Sequence, residues 1–178
     1  MDLDKRLSKT KAALILEHPF IGTIAMNMPF TLSEQVPTAG TNGKRVLFNP
    51  DFIEPLTDEE LKFLVAHECL HPMLDHCYRR FTRDGFKWNI AGDIIINDLL
   101  VEDNVGKMRE GGCYDKDLWN EGGGTTDGVY GVLPDQEEGE GGGSGPGWQD
   151  CEDAEGTQQE QDQEAAKWKV KVAQAAQA

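Results

Sequence analysis

The sequence predicts an α+β domain in which two buried helices pack with a small β-hairpin. Two long segments rich in apolar residues, 57–74 and 88–100, have the length and composition of buried helices. Between two shorter segments with strand character, the pair Asn42-Gly43 is typical of a tight hairpin turn. A chain of 178 residues, 38% of them hydrophobic, is long enough to bury one core around these elements.

The N-terminal region supplies the first helix and the strands. Residues 4–17 carry apolar side chains at helical spacing and precede Pro19, so we expect a helix that ends before this proline. Residues 23–31 and 45–49 have strand character, and the turn at residues 41–44 lies between them. These segments therefore predict two strands with a tight hairpin turn between them.

The first buried helix has a clear N-terminal signal. Thr57 and Glu60 fit a capping box, and Asp58 and Glu59 place negative charge at the positive end of the helix dipole. The apolar residues that follow cover a wide arc, which is typical of a largely buried helix. Pro72 removes one backbone donor near the end of the pattern, so we expect a kink there.

Two histidines on this helix define its candidate chemistry. His67 and His71 are four residues apart, and about 3.6 residues per turn bring both imidazoles to one face, where they can bind one cation. Glu68 cannot easily become a third ligand, but it can contact a water in the open coordination position. This HExxH pattern is typical of zinc hydrolases. The alternative is a core helix with two incidental histidines.

A zinc site of this kind needs a third protein ligand, and His76 is one candidate. It lies five residues after His71, so a continuous helix turns it well away from the metal-facing side. We therefore expect His76 to support a ligand or the fold from outside the site, unless Pro72 unwinds the helix. Asp75 remains on the metal-facing side and could orient a ligand imidazole through its other ring nitrogen.

Asp93 is the stronger candidate for the third ligand. It is a single carboxylate in an otherwise apolar segment, and a buried carboxylate is costly unless it is paired or bound to a metal. Asn97 lies four residues later, on the same helical face, where it can hydrogen-bond the site or line its cleft. The alternatives are that Asp93 has a structural partner, and that the isoleucines at 94–96 form a strand.

A longer, ordered set of residues resembles one known family. The set comprises Thr41-Asn42-Gly43, Leu47-Phe48-Asn49-Pro50, Leu64-Val65-Ala66-His67-Glu68-Cys69-Leu70-His71, His76, Arg79-Arg80, Trp88-Asn89-Ile90-Ala91-Gly92-Asp93, Asn97 and, more loosely, residues 127–133. Through it, residues 1–133 are similar to the zincin-like metallopeptidase domain that precedes von Willebrand factor A-like domains in bacterial and phage proteins.

The resemblance implies a zinc-dependent peptidase domain in the cytoplasm of a bacterial cell or a phage-infected host. Its implied partners are a peptide or protein substrate and, as candidates, an AAA+ ATPase or a von Willebrand factor A-like domain. In zinc peptidases the strand edge beside the catalytic helix often holds extended substrate by backbone pairing, and by analogy the predicted hairpin is our candidate for this role.

Charge divides the rest of the chain. Residues 135–164 contain eleven acidic residues and no Lys or Arg, within a chain whose net charge is −15. We therefore expect a metallopeptidase-like domain over residues 1–133, a disordered acidic linker rich in Gly and Gln over 134–164, and a short, truncated helix over 165–178. A docking or nucleic-acid-mimicking role for the acidic segment is the alternative.

Several other classes have little support. The four cysteines show neither paired metal spacing nor a secreted disulfide framework, so we expect free thiols. The N-terminus lacks the apolar run of a signal peptide, and no segment has the length to span a bilayer, which favours the cytoplasm. Because the chain is acidic, the sequence does not favour nucleic-acid binding.

Together these observations predict a zinc-dependent metallopeptidase. His67, His71 and Asp93 would bind Zn²⁺, and Glu68 would activate the metal-bound water for attack on a peptide carbonyl. One alternative is a non-catalytic, zinc-stabilised interaction module of an ATPase-linked or phage assembly. Another is a zinc amidase that acts on a non-protein substrate.

Overall fold

The computed structural model describes residues 2–135 and 151–177, which form an α+β structure that is mostly helical, as the sequence predicts. No helix within these residues is long and apolar enough to cross a membrane. The helices are α1 (Leu3–Glu17), α2 (Pro19–Met26), α3 (Pro50–Ile53), α4 (Asp58–Met73), α5 (His76–Arg79), α6 (Gly85–Glu102), α7 (Lys116–Glu121), α8 (Thr126–Val132) and α9 (Gln158–Ala175), and the strands are β1 (Phe30–Leu32), β2 (Ala39–Thr41) and β3 (Val46–Phe48).

Helices α1 and α2 are packed with their backbones close together. The prediction of α1 is confirmed, but the strand predicted over residues 23–31 is wrong in its first part, which belongs to α2. Pro19 occupies the first turn of α2, where its fixed φ suits a helix. A Cβ on Gly22 would lie 2.4 Å from the Ile15 nitrogen, so this glycine permits the close packing. Tertiary packing here overrides local strand propensity.

Three short strands form a sheet in the order β1-β3-β2. Strands β2 and β3 are antiparallel, with Ala39 opposite Phe48, and form a hairpin around the predicted turn, although β2 itself was not predicted. Gly43 in the turn has a φ of 81°, and the space above it is filled by the Tyr78 ring. Strand β1 pairs in parallel with the other side of β3, so β3 is the central strand. Strand β2 therefore lies at one edge of the sheet, beside α4.

Helix α4 begins at the predicted capping box. The Thr57 hydroxyl accepts a hydrogen bond from the Glu60 N–H at 3.2 Å, and the Glu60 carboxylate accepts one from the Thr57 N–H at 2.8 Å. The helix ends at Met73, directly after Pro72, so it stops where a kink was expected. Asp75 then adopts a left-handed conformation with a φ of 60°, and the chain turns into α5.

Helix α6 packs on α4 and carries the second set of candidate residues. It is a continuous helix through Asp93 and Asn97, so the strand alternative for residues 94–96 is wrong. Ile96 and Leu100 belong to the main hydrophobic core, whereas Ile94 packs in a smaller cluster next to α8. Polar side chains of α6 are also buried, among them Asn89, Asp93, Asn97 and Asp98.

The C-terminal helix begins earlier than expected and is docked on the domain. Residues 136–150 of the predicted linker lie outside the described residues, but α9 starts at Gln158 rather than at residue 165. Thr157 and Glu160 form a second capping box that sets this start. Trp168 is 1% exposed and donates its indole N–H to the Gly43 carbonyl at 2.8 Å. This anchor holds α9 against the hairpin turn.

Candidate metal centre

Helices α4 and α6 bring three donor atoms together. The Nε2 atoms of His67 and His71 lie 3.0 Å apart, and the Asp93 Oδ1 atom lies 3.5 Å and 3.3 Å from them, respectively. All three residues are buried. Within residues 2–135 and 151–177, no other group of at least three His, Cys, Asp or Glu side chains has the arrangement to hold a metal ion.

The separations of these atoms fit a zinc ion. Ligands about 2.0–2.1 Å from zinc at tetrahedral angles lie roughly 3.3–3.4 Å from one another. The three measured distances, 3.0, 3.3 and 3.5 Å, span this value. Two imidazole nitrogens and one carboxylate oxygen are also donor types that zinc binds. Three protein donors leave one tetrahedral position for a ligand from outside the protein.

The protonation states suit a cation. Burial lowers the pKa of His71, so its imidazole is neutral at pH 7. Burial opposes ionisation of Asp93, but the adjacent imidazoles of His67 and His71 outweigh it and lower the pKa of the carboxyl. Neutral imidazole and ionised carboxylate are the forms that bind a metal ion.

Asn97 orients the first histidine from outside the cluster. The Nδ1 atom of His67 lies 2.8 Å from the Asn97 Oδ1 atom, and the Asn97 amide donates a hydrogen bond to the Cys113 carbonyl at 2.7 Å. With its proton on Nδ1, His67 directs the Nε2 lone pair towards the other donors. The structure thus places Asn97 beside a candidate ligand.

His76 lies next to His71, and not on the far side of the helix as a continuous α4 predicted. The turn at Asp75 brings its ring back, so that the Nδ1 atoms of His71 and His76 are 3.1 Å apart. The Nε2 atom of His76 lies 2.9 Å from the Thr126 hydroxyl. A Cβ on Gly92 would come within 2.8 Å of the His76 ring, so this ring lies where α6 has no side chain.

The other predicted site residues have different positions. Glu68 follows His67 on α4 and is 0% exposed. Asp75 lies in the turn after α4, and within the described parts of the chain no hydrogen bond joins its carboxylate to the imidazole of His67 or His71. The position beside His71 that was expected for Asp75 is filled by His76.

Two residues near the site were missed by sequence reasoning. The Asn89 amide donates a hydrogen bond to the Asp93 Oδ2 atom at 3.2 Å. Its position four residues before Asp93 on one helix is the signal that could have revealed it. Thr126 is 50 residues from His76 in the chain, and nothing local indicates their contact.

Residues 2–127 match the profile of a family described as "Putative metallopeptidase domain". The chain belongs to this family. The matched region includes His67, Glu68, His71 and Asp93. It also includes Thr126, at the start of α8. No curated protein and no solved structure matches the chain significantly.

Proposed function

We propose that this domain is a zincin-like, zinc-dependent peptidase of the HExxH class. The observation that carries the proposal is the convergence of His67 Nε2, His71 Nε2 and Asp93 Oδ1 at separations that zinc requires. Family membership supports a hydrolytic role for this centre. Because a HExxH glutamate follows the first histidine, Glu68 is in the sequence position of the general base.

The proposed reaction is hydrolysis of a peptide bond. When bound, zinc supplies a Lewis acid that polarises the scissile carbonyl and makes a coordinated water more acidic. Glu68 accepts the proton of the attacking water and returns it to the leaving amine, so no net proton is taken up by the side chain. Asn97 and His76 keep the two imidazoles oriented towards the ion.

One observation favours a second candidate, a zinc-stabilised interaction module without catalysis. His67, Glu68, His71 and Asp93 are 6%, 0%, 0% and 8% exposed, respectively. Structural zinc sites are closed, whereas a catalytic site must admit substrate to its open position. The partner of such a module, an AAA+ ATPase or a von Willebrand factor A-like domain, stays a prediction. The cytoplasmic location also stays a prediction.

The test combines metal analysis with one conservative substitution. The purified chain should contain one zinc per molecule, and Glu68→Gln should retain it while hydrolysis of a quenched-fluorescent peptide library falls by at least ~10²–10⁴-fold. Glu54→Gln, on the exposed end of α3, is the matched control and should change neither quantity.

Each outcome decides between the candidates. One zinc per chain with hydrolysis that depends on Glu68 supports the peptidase. One zinc with no hydrolysis by the wild-type protein favours the interaction module. A chain that binds no zinc in metal-replete medium, or a fully active Glu68→Gln variant, would contradict the proposed site.

A further inference from the structure

A short segment near the C-terminus, which we call the strap (residues 151–154), lies along the edge of the sheet. Cys151 forms a parallel bridge with Thr41 at the end of β2, and the Glu152 N–H donates to the Thr41 carbonyl at 2.9 Å. The Ala154 N–H donates to the Cys77 carbonyl at 2.9 Å. The strap therefore connects the edge of β2 to helix α5 through backbone hydrogen bonds.

The strap also reaches the metal centre through one intermediate residue. The Cys151 N–H donates to the Asn89 Oδ1 atom at 3.0 Å, and the amide of Asn89 donates in turn to Asp93. Burial chiefly raises the pKa of the Cys151 thiol, and the Cys77 thiol, whose Sγ atom lies 2.8 Å away, adds to this shift. The backbone N–H of Cys151 is thus linked to the candidate ligand Asp93 through the Asn89 side chain.

The edge of β2 is a suitable place for a peptide substrate. A strand at the edge of a sheet offers N–H and C=O groups that pair with any extended chain, which gives affinity with little dependence on side chains. Strand β2 lies beside α4, the helix that carries Glu68. An extended peptide on this edge would have its backbone next to Asn89 and hence near Asp93.

We propose that the edge of β2 and the Asn89 amide form the peptide-binding subsite of the metal centre, and that the strap occupies it as a built-in competitor. The ligand class is an extended peptide backbone. The inference rests on the proposed peptidase function. A peptide would bind after the strap has left the edge of β2.

The strap has both buried and exposed contacts: Cys151 and Ala154 belong to the main hydrophobic core, and the Sγ atoms of Cys151 and Cys77 lie 2.8 Å apart. Its charged contact is an ion pair between Arg80 and Asp153, with Nε and Oδ1 2.7 Å apart, and both side chains are partly exposed, so solvent weakens it. Helix α9 has a separate anchor in Trp168. Opening of the strap would therefore leave this anchor of α9 in place.

Substitutions at Glu152 separate the backbone contact from the side chain. Glu152→Pro removes the N–H that donates to the Thr41 carbonyl, whereas Glu152→Ala keeps this N–H and removes only an exposed side chain. Asp153→Lys, which replaces the exposed ion pair with Arg80 by a repulsion, weakens the strap without changing its backbone. It supplies a second variant whose folding does not depend on proline.

Two hydroxamates serve as probes of the zinc-loaded protein. Acetohydroxamic acid tests access to the metal alone, and N-acetyl-trialanine hydroxamate tests the metal together with the proposed subsite. Calorimetry gives, for each protein, the ratio of its affinity for the trialanine probe to its affinity for acetohydroxamic acid. This ratio should be about tenfold higher for Glu152→Pro than for the wild-type protein. Asp153→Lys should show a smaller gain, and Glu152→Ala none.

A metal-free measurement checks the strap itself. In zinc-free protein the Ala154 amide should exchange with deuterium about tenfold faster in Glu152→Pro than in Glu152→Ala, because opening of the strap exposes it. Faster exchange together with tighter binding of the trialanine probe supports the inference. Faster exchange with unchanged trialanine binding overturns it, and so does unchanged exchange in both Glu152→Pro and Asp153→Lys.

The same data distinguish this inference from the proposed function. If acetohydroxamic acid binds every zinc-loaded variant but the trialanine probe gains nothing, the subsite is wrong and the metal centre stands. If acetohydroxamic acid binds none of them, including the opened variants, the centre has no accessible position, and the peptidase and the subsite both fall.

Discussion

The Nδ1 atoms of His71 and His76 lie 3.1 Å apart, and this contact fixes the proton positions of both rings. If His71 offers its Nε2 lone pair to a cation, its proton is on Nδ1 and is donated to His76. His76 then carries its own proton on Nε2, which is 2.9 Å from the Thr126 hydroxyl. His76 and Thr126 thus orient the His71 imidazole, which is the role that a carboxylate has beside many zinc-bound imidazoles.

Gly92→Ala should disturb this arrangement without touching a candidate ligand. The added Cβ would lie 2.8 Å from His76 Nδ1, so the ring has to shift from its present position beside His71. We expect zinc affinity to fall about tenfold, the lower end of the effect of losing an outer partner. Competition with a fluorescent chelator measures the affinity, and the visible spectrum of the cobalt-substituted protein reports the altered ligand geometry.

Gly131→Ala is the matched control for this change. Gly131 is exposed in α8, and no heavy atom lies within 4 Å of the Cβ that the substitution adds. Zinc affinity and the cobalt spectrum should remain at their wild-type values, and stability should not decrease, because alanine favours a helix more than glycine does. Equal behaviour of Gly92→Ala and Gly131→Ala would show that His76 does not orient His71.

Asp93→Asn tests the third ligand. The substitution keeps the shape of the side chain but removes the negative charge that faces His67 and His71. Zinc affinity should fall by more than about 100-fold, beyond the roughly 10–100-fold typical of an outer partner. Asp98→Asn provides a control on the same helix, because Asp98 is also buried but pairs with Lys116.

The two aspartate variants should differ in which property they change. Asp98→Asn should lower the stability of the fold and leave zinc affinity intact, since its ion pair with Lys116 lies outside the cluster. A zinc-binding isotherm for each zinc-free variant measures the affinity, and urea unfolding measures the stability. Similar zinc affinities for Asp93→Asn and the wild-type protein would remove Asp93 from the site.

The elements that sequence predicted well are those with local signals. The start of α4 depends on Thr57 and Glu60, which are three residues apart, and the pairing of His67 with His71 follows from helical geometry alone. Asp93 was a candidate because a carboxylate in an apolar segment is costly without a partner. In each case the physical cause lies within one or two turns of a helix.

The elements that were missed depend on contacts between distant segments. The position of His76 follows from the turn at Asp75, from a hydrogen bond between the Trp88 indole and the His76 carbonyl, and from the space above Gly92. None of these contacts produces a periodic pattern. The residues after Cys151 were assigned to a linker from their charge, although their backbone hydrogen bonds do not depend on charge.

Trp168→Ala should destabilise the whole domain, because α9 is part of the fold. The side chain is 1% exposed, and its truncation leaves a cavity and removes the hydrogen bond to the Gly43 carbonyl. We expect a loss of about 3–5 kcal/mol in the free energy of unfolding. Trp168→Phe retains most of the apolar volume and should cost less. Urea unfolding measures both, and a loss below about 1 kcal/mol for Trp168→Ala would show that α9 is dispensable.

Acid should destabilise the zinc-free protein well above the pH at which carboxylates titrate. Burial lowers the pKa of His71, and it lowers the pKa of His76 to well below the ordinary value, with the neighbouring His71 adding to the effect. In the unfolded chain both histidines titrate near the ordinary pKa of about 6.5. As the pH falls below this value, the unfolded state binds protons that the folded state does not, so stability decreases.

The slope of this decrease identifies the histidines responsible. Each one contributes up to about 1.4 kcal/mol per pH unit between its unfolded and folded pKa values, and the window from pH 6.5 to 5.0 lies above the ordinary carboxyl range. Urea unfolding across this window should show a clear loss of stability for the zinc-free wild-type protein. His76→Gln removes one titrating group from the site, so its slope should be shallower by up to about 1.4 kcal/mol per pH unit. A slope identical to that of the wild type would mean that His76 is protonated equally in the folded and unfolded states, and the buried, neutral His76 that orients His71 would then be wrong.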